Sequence, residues 1–187
     1  MDGLSLEQRL DRLESRALIA ELGSAYAVAC DERDMERLLD TFAPDAAIRS
    51  VNGVMNARGR EHISAMFERM FAVRGPAYHW THDRFVWFDD DDSDRATGQV
   101  LAHAETTLHG VASLAALRYD DNYVRIGDTW KFSERVLSFL YYVPLKDYLD
   151  RIPKIERFHN QGTYSAADFP EALPTWQRFY ATDRSVS

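Results

Sequence analysis

The sequence predicts a single α+β domain, and two observations carry that prediction. Apolar residues recur at helical spacing as far as Val73, then alternate at strand spacing from Tyr78 to Val143. The aromatic content, 4 Trp, 9 Tyr and 10 Phe in 187 residues, suits a sheet-rich core or an apolar ligand cavity. That length supports one domain with a real core and is short for two.

The elements follow in order. Ser5 with Gln8 is a capping-box pattern, so the first helix starts there. Leu6, Leu10, Leu13, Ala17, Ala20 and Ser24 form one helical stripe, and Leu18, Leu22 and Tyr26 form a second. The helix is thus expected to be covered on more than one side as it nears Asp31. Asp34 is placed to cap a short second helix, Met35 to Thr41, which Pro44 ends. A short strand is expected near Ala46 to Val54, with Asn52-Gly53 as its turn. Gly59 precedes a third helix, Arg60 to Val73, with the stripe Ile63, Met66, Phe67 and Met70, and Gly75-Pro76 closes it.

Four strands come next: Tyr78 to Asp89, Arg95 to His109, Ser113 to Arg125, and Thr129 to Val143. They turn at Asp89 to Asp94, at Gly110 and at Gly127-Asp128, so they are consecutive antiparallel hairpins. In the last strand Trp130, Phe132, Val136, Leu140 and Tyr142 alternate with Leu137, Phe139 and Tyr141. Both its faces must therefore be covered, one by the helices and the other by a second subunit, in a dimer or trimer. The tail after Pro144 carries Phe158, Phe169, Trp176 and Phe179 and is expected to pack.

Bulk properties exclude several classes. The net charge is −8 with no basic stripe, which argues against nucleic acid and anionic membrane as partners. The one cysteine, Cys30, has no internal disulfide partner and reads as a buried inert thiol. The opening MDGLSLEQRL does not read as a signal peptide, and no apolar run reaches the ~18 residues of a membrane span, so a cytoplasmic protein is expected. The run Asp89 to Asp94 lacks the EF-hand spacing and reads as a solvated turn. No zinc spacing, phosphate-cradling glycine loop or GxSxG is present, and no cofactor or metal is expected.

Four residues are candidates for chemistry. Asp31 follows an apolar helix; a capping or solvated-turn role is the commoner explanation, but Asp34 is better placed for the cap. His79 is expected to share a strand face with Thr81, Phe85 and Trp87. A core histidine is the usual case, whereas beside a carboxylate and a cavity it would be a general base with an unperturbed pKa of ~6.5. Arg135, expected on one face with Leu137, Phe139 and Tyr141, is either a rim cation or the holder of a leaving group. Tyr26 is a core ring or a hydroxyl donor. The expected pocket residues are Phe67, Trp87, Ala102, His103 and Ala104. If the small alanines face the cavity, His103, on the same face as Glu105, points outward.

The opening RALIAELGSAYAVACDERDMERLLDTFAPDA, the GREHI helix start and the TWKFSERV strand resemble the SnoaL-like family of the nuclear transport factor 2-like superfamily, over about Leu6 to Val143. The nearest resemblance is to the scytalone dehydratase, bile-acid 7α-dehydratase and hexachlorocyclohexane dehydrochlorinase branch. It implies a cone-shaped fold, three helices packed into a curved antiparallel sheet around an apolar pocket, and chemistry without a cofactor. It also implies an Asp–His dyad on Asp31 and His79, with Tyr26 and Arg135 on further pocket positions. His103 matches the scytalone enzyme's second histidine only loosely, and Cys30 stands where that enzyme has a tyrosine. The implied activity is a lyase eliminating water or halide from a small hydrophobic substrate, cyclic compounds included. The rivals are an isomerase or polyketide-cyclase-like enzyme on the same dyad, and a non-catalytic binding or assembly module like a ring-hydroxylating dioxygenase β subunit.

Overall fold

A computed structural model of the chain describes residues 3–181. The capping box is present: Ser5 Oγ accepts from the Gln8 N–H and the Gln8 side chain accepts from the Ser5 N–H, which opens α1 (Leu6–Glu32). The core face of α1 begins at Ser15 and runs through Ile19, Leu22, Tyr26 and Cys30. The first predicted stripe is not the core face, because Leu6, Leu10 and Leu13 are exposed. At ~1.5 Å per residue the helix is ~40 Å long, and its first turns touch the rest of the fold through the ion pairs Asp11–Arg125 and Arg12–Asp90 instead. Asp34 caps α2 (Met35–Asp40) by accepting from the Arg37 N–H at 3.0 Å. Pro44 does not end that helix; it lies inside β1 (Phe42–Ser50), which starts earlier than expected.

The short β2 (Asn56–Arg58) pairs with β1, and α3 (Arg60–Ala72) follows. Two helices therefore precede the first strand, and the third comes after two strands rather than completing an uninterrupted opening group. The long strands are β3 (Arg74–Phe88), β4 (Arg95–Leu108), β5 (Val111–Ile126) and β6 (Thr129–Pro144). Gly75-Pro76 starts β3 instead of closing α3. β3 is an edge strand, where a missing N–H costs no ladder bond. The main path of the sheet runs β2-β1-β6-β5-β4-β3, and along it only the pair β1–β6 is parallel. A parallel pair needs a long crossover, which everything between these two strands supplies. The acidic turn at Asp89 to Asp94 is anchored, with Asp90 on Arg12 and Asp94 on Arg125.

The sheet is curved and unclosed, and four β-bulges bend its antiparallel ladders, the first where Gly75 and Pro76 stand against Thr107 alone. In β3 two residues, His82 and Asp83, stand against Leu101 alone. In β6, Ser133 and Leu140 have no partner on β5. Each bulge reverses the alternation beyond it. The inner face of β3 therefore carries Ala77, His79 and Thr81, then Val86 and Phe88, while Phe85 and Trp87 point outward. In β6, Phe139 and Tyr142 belong to the inner core but Tyr141 faces out.

Beyond β6 come a 3-10 turn (Leu145–Asp147), α4 (Tyr148–Arg151), β7 (Phe158–Asn160), β8 (Thr163–Ser165) and α5 (Pro174–Ala181). Tyr148, Ile152 and Tyr164 pack on Ala116, Tyr141 and Val143, so the tail covers part of the outer face that a second subunit was expected to cover. Phe158 is buried, while Trp176 and Phe179 stay at the surface, 37% and 49% exposed. Arg157 clasps the tail: it is buried, pairs with Glu171 at 2.8 Å, and donates to the carbonyls of Leu140, Lys154 and Phe169. Among the described residues no helix is long and apolar enough to cross a membrane.

Candidate active site

The last turn of α1 delivers Asp31 to the edge strand. The helix stops because Arg33 takes the left-handed conformation, φ 62°. Asp31 then neither caps α2 nor sits in a wet turn. Its Oδ2 accepts the His79 backbone N–H at 2.9 Å, and its Oδ1 lies 2.6 Å from His79 Nδ1. Both side chains are mostly shielded, 14% exposed for Asp31 and 21% for His79. A carboxylate on Nδ1 fixes the tautomer with the proton there and leaves Nε2 as the acceptor, without a hydrogen-bond partner among the described residues.

His79 lies on the wall of a cavity of about 610 Å³ between α1, α3 and the inner face of the sheet. Tyr26, Phe67 and Ala104 line it with His79, and the tail closes one side through Phe158 and the β7–β8 turn. The predicted pocket set is only partly assembled there. Ala102 shares the inner face but is packed in the core beside the cavity. Trp87 points outward because of the His82-Asp83 bulge. His103 also faces outward, its Nδ1 2.7 Å from His82 Nε2.

Arg135 stands behind the wall rather than in it. It is 1% exposed, and its Nε and one Nη donate to the two oxygens of Asp121 at 2.8 and 2.7 Å. The guanidinium carbon lies 3.9–4.4 Å from the ring centroids of Phe132, Tyr119 and Tyr26. Burial works against its charge, but Asp121 more than compensates and holds its pKa above the ordinary range. Its effect on the cavity passes through the Tyr26 and Tyr119 rings. Burial, and then the neighbouring Cys30, push the Tyr26 hydroxyl well above the usual phenol value, so it stays protonated and able to donate. Cys30 is free and buried, and burial raises its thiol to about 12, leaving it inert.

Three cavity residues escaped the sequence reading. Arg33 donates to the carbonyls of Cys30 and Gly75, the latter at 2.6 Å, with its guanidinium over the Phe71 ring. Arg74 donates to Thr106 Oγ1 at 3.4 Å. Tyr142 lines the cavity with a buried hydroxyl that has no partner among the described residues. Nothing in the local sequence marks them. Arg33 depends on a carbonyl 42 residues away, and Tyr142 faces inward only because of the Leu140 bulge.

Residues 11–136 match the SnoaL-like domain family. The chain belongs to that family. This SnoaL-like domain is 28% identical over 137 residues to the gamma-hexachlorocyclohexane dehydrochlorinase of Sphingobium indicum, across 73% of this chain and 87% of the other. The solved structure of LinA is similar with a TM-score of 0.67 at 27% identity, across 74% of this chain and 94% of the other. A scytalone-dehydratase-like protein of Novosphingobium aromaticivorans has a TM-score of 0.67 at 17% identity, across 84% and 94%, a likeness of fold alone. Phe139, Tyr142 and the tail's share of the cavity wall lie beyond the part that matches the family.

Proposed function

We propose that this SnoaL-like domain is a cofactor-independent lyase that eliminates water or halide from a small, largely hydrophobic substrate. The observation that carries the proposal is the double contact of Asp31 with His79, made where His79 borders the cavity. Identity to a dehydrochlorinase supports the same reaction class.

In this mechanism His79 Nε2 takes a proton from a substrate carbon. The C–H electron pair becomes the new C=C bond, and the adjacent carbon releases its hydroxyl or halide. Asp31 stabilises the imidazolium formed in that step and does not itself take the proton. The Tyr26 hydroxyl, kept protonated, donates to the departing group. Arg135 is a positioning residue that holds the Tyr26 and Tyr119 rings. The β3–β4 outer face, where Trp80, Phe85, Trp87 and Leu101 are exposed, is proposed to be covered by further copies of this chain in a dimer or trimer.

The test is a panel of cyclic β-hydroxy and β-halo compounds, both neutral and carboxylated, assayed with the purified protein. On whichever substrate turns over, His79→Ala is expected to lose about 10²–10⁴-fold in kcat. Asp31→Asn is expected to lose about as much, through the wrong tautomer. Retained turnover in both variants sinks the dyad. Solvent deuterium entering the product without loss of a leaving group would instead mark an isomerase.

A further inference from the structure

The lining of the cavity carries a charge pattern opposite to that of the chain. Asp and Glu outnumber Lys and Arg 30 to 22 overall. Yet the lining contains no Asp or Glu, while it contains Arg33, Arg69 and Arg74 together with His79, His109 and His159. The nearest carboxylate the mechanism uses, Asp31, is held by His79 and is not part of the lining.

The three arginines, like Arg9, Arg16, Arg58, Arg60 and Arg84 among the described residues, stand outside the ion pairs. Nine arginines away from the cavity have an acidic partner within ion-pair distance. Among the described residues Arg33, Arg69 and Arg74 have none. Arg33 is bonded to the carbonyl of Gly75, the residue next to Arg74. Arg74 in turn lies with its guanidinium carbon 5.9 Å from the Tyr142 ring centroid, and that tyrosine's hydroxyl is buried without a partner. Cations gathered without an anion at an apolar cavity repel one another and raise the local potential, and a buried unpaired hydroxyl calls for a partner. One bound anion relieves all of these.

We propose that the substrate is an amphipathic carboxylate: an apolar body reaching His79, and a carboxylate head held by Arg33, Arg74 and the Tyr142 hydroxyl, with Arg69 at the rim. Arginine meets a planar carboxylate with two parallel hydrogen bonds. A phosphate head fits less well. Phosphate sites bring a glycine loop or a helix N-terminus. Here α3 borders the cavity with its C-terminal half, Met66 to Ala72, and not with the N-terminus that a phosphate site would use. This assignment rests on the cavity being the substrate site, as proposed above, but not on the chemistry of the dyad.

The test is calorimetric titration of the full chain with octanoate, 1-octanol and octyl phosphate as probes of equal chain length. Octanoate is expected to bind about tenfold or more tightly than 1-octanol, and added salt to weaken octanoate while sparing the alcohol. Arg74→Met and, separately, Tyr142→Phe are expected to shrink the acid-over-alcohol preference severalfold. His79→Ala is expected to keep it, so a failed dyad and a failed head-group assignment are told apart. Should Arg74→Met not fold, the salt dependence of the unmodified chain still decides. The assignment is overturned by equal binding of acid and alcohol, by no measurable octanoate binding, by a preference intact in folded Arg74→Met, or by octyl phosphate binding tighter than octanoate.

Discussion

Asp121 and Arg135 show how a single residue can matter to a site it does not touch. Both are buried, and Asp121 also accepts from the Tyr123 hydroxyl at 2.9 Å. Asp121→Asn would leave the Arg135 charge buried without its counter-ion and is expected to cost about 3–5 kcal/mol of stability in urea unfolding. A well-packed Asp121→Leu, Arg135→Met pair is expected to recover most of that stability, because it removes both desolvated charges together. Turnover should not recover with it, since the Tyr26 and Tyr119 rings lose the guanidinium they pack on. The residue types at Asp31, His79 and Tyr26 could be picked from the sequence. The burial of Arg135 behind the wall could not, because its partner Asp121 lies on the neighbouring strand.

The long strands depend on close backbone approaches as much as on side chains. A Cβ at Gly98 would come within 2.8 Å of the Phe85 carbonyl oxygen and of the Tyr123 ring. Gly98→Ala is therefore expected to cost about 1–3 kcal/mol, and because it displaces Tyr123 it should also disturb the Asp121–Arg135 pair. Denaturant midpoints and near-ultraviolet circular dichroism would register the two effects. The tail is held by the Arg157–Glu171 pair, and the hydrogen bond from Arg157 lowers the Glu171 pKa. A depressed folded-state pKa means the pair's contribution is full above the ordinary glutamate value of 4.5 and is lost as pH falls through the folded value. Burial raises the pKa of Asp168 in the same tail, which acts in the opposite direction. Protection of the tail amides, taken relative to the intrinsic exchange rate at each pH, is expected to fall in acid, and Glu171→Gln to flatten that pH dependence while loosening the tail at neutral pH. An unchanged acid response in Glu171→Gln would count against the pair as the clasp.

At the scale of the whole molecule, the tail covers part of the outer face of β5 and β6 but leaves Tyr78, Trp80, Phe85, Trp87 and Leu101 exposed on β3 and β4. So many rings on one sheet face exceed what a monomer ordinarily leaves in water. Sedimentation of the purified chain is expected to report a dimer or trimer, and Trp87→Lys with Trp80→Glu to shift it toward monomer without loss of helix and strand content. A monomer for the unmodified chain would remove the proposed contact between copies.

The sequence by itself determined the class of fold, the order of helices and long strands, the caps at Ser5 and Asp34, and the pairing of Asp31 with His79 as candidates. Those features rest on local hydrogen bonding, on the two periodicities, and on a resemblance carried by short motifs. The tertiary structure alone decided which side of each strand faces the cavity. A bulge adds one residue with no compositional mark, and one residue is enough to reverse every side chain beyond it. That is why Trp87 left the predicted pocket and Tyr142 entered the site. It is also why the arginines gathered at the cavity wall could be recognised only once distant strands and the tail were brought together.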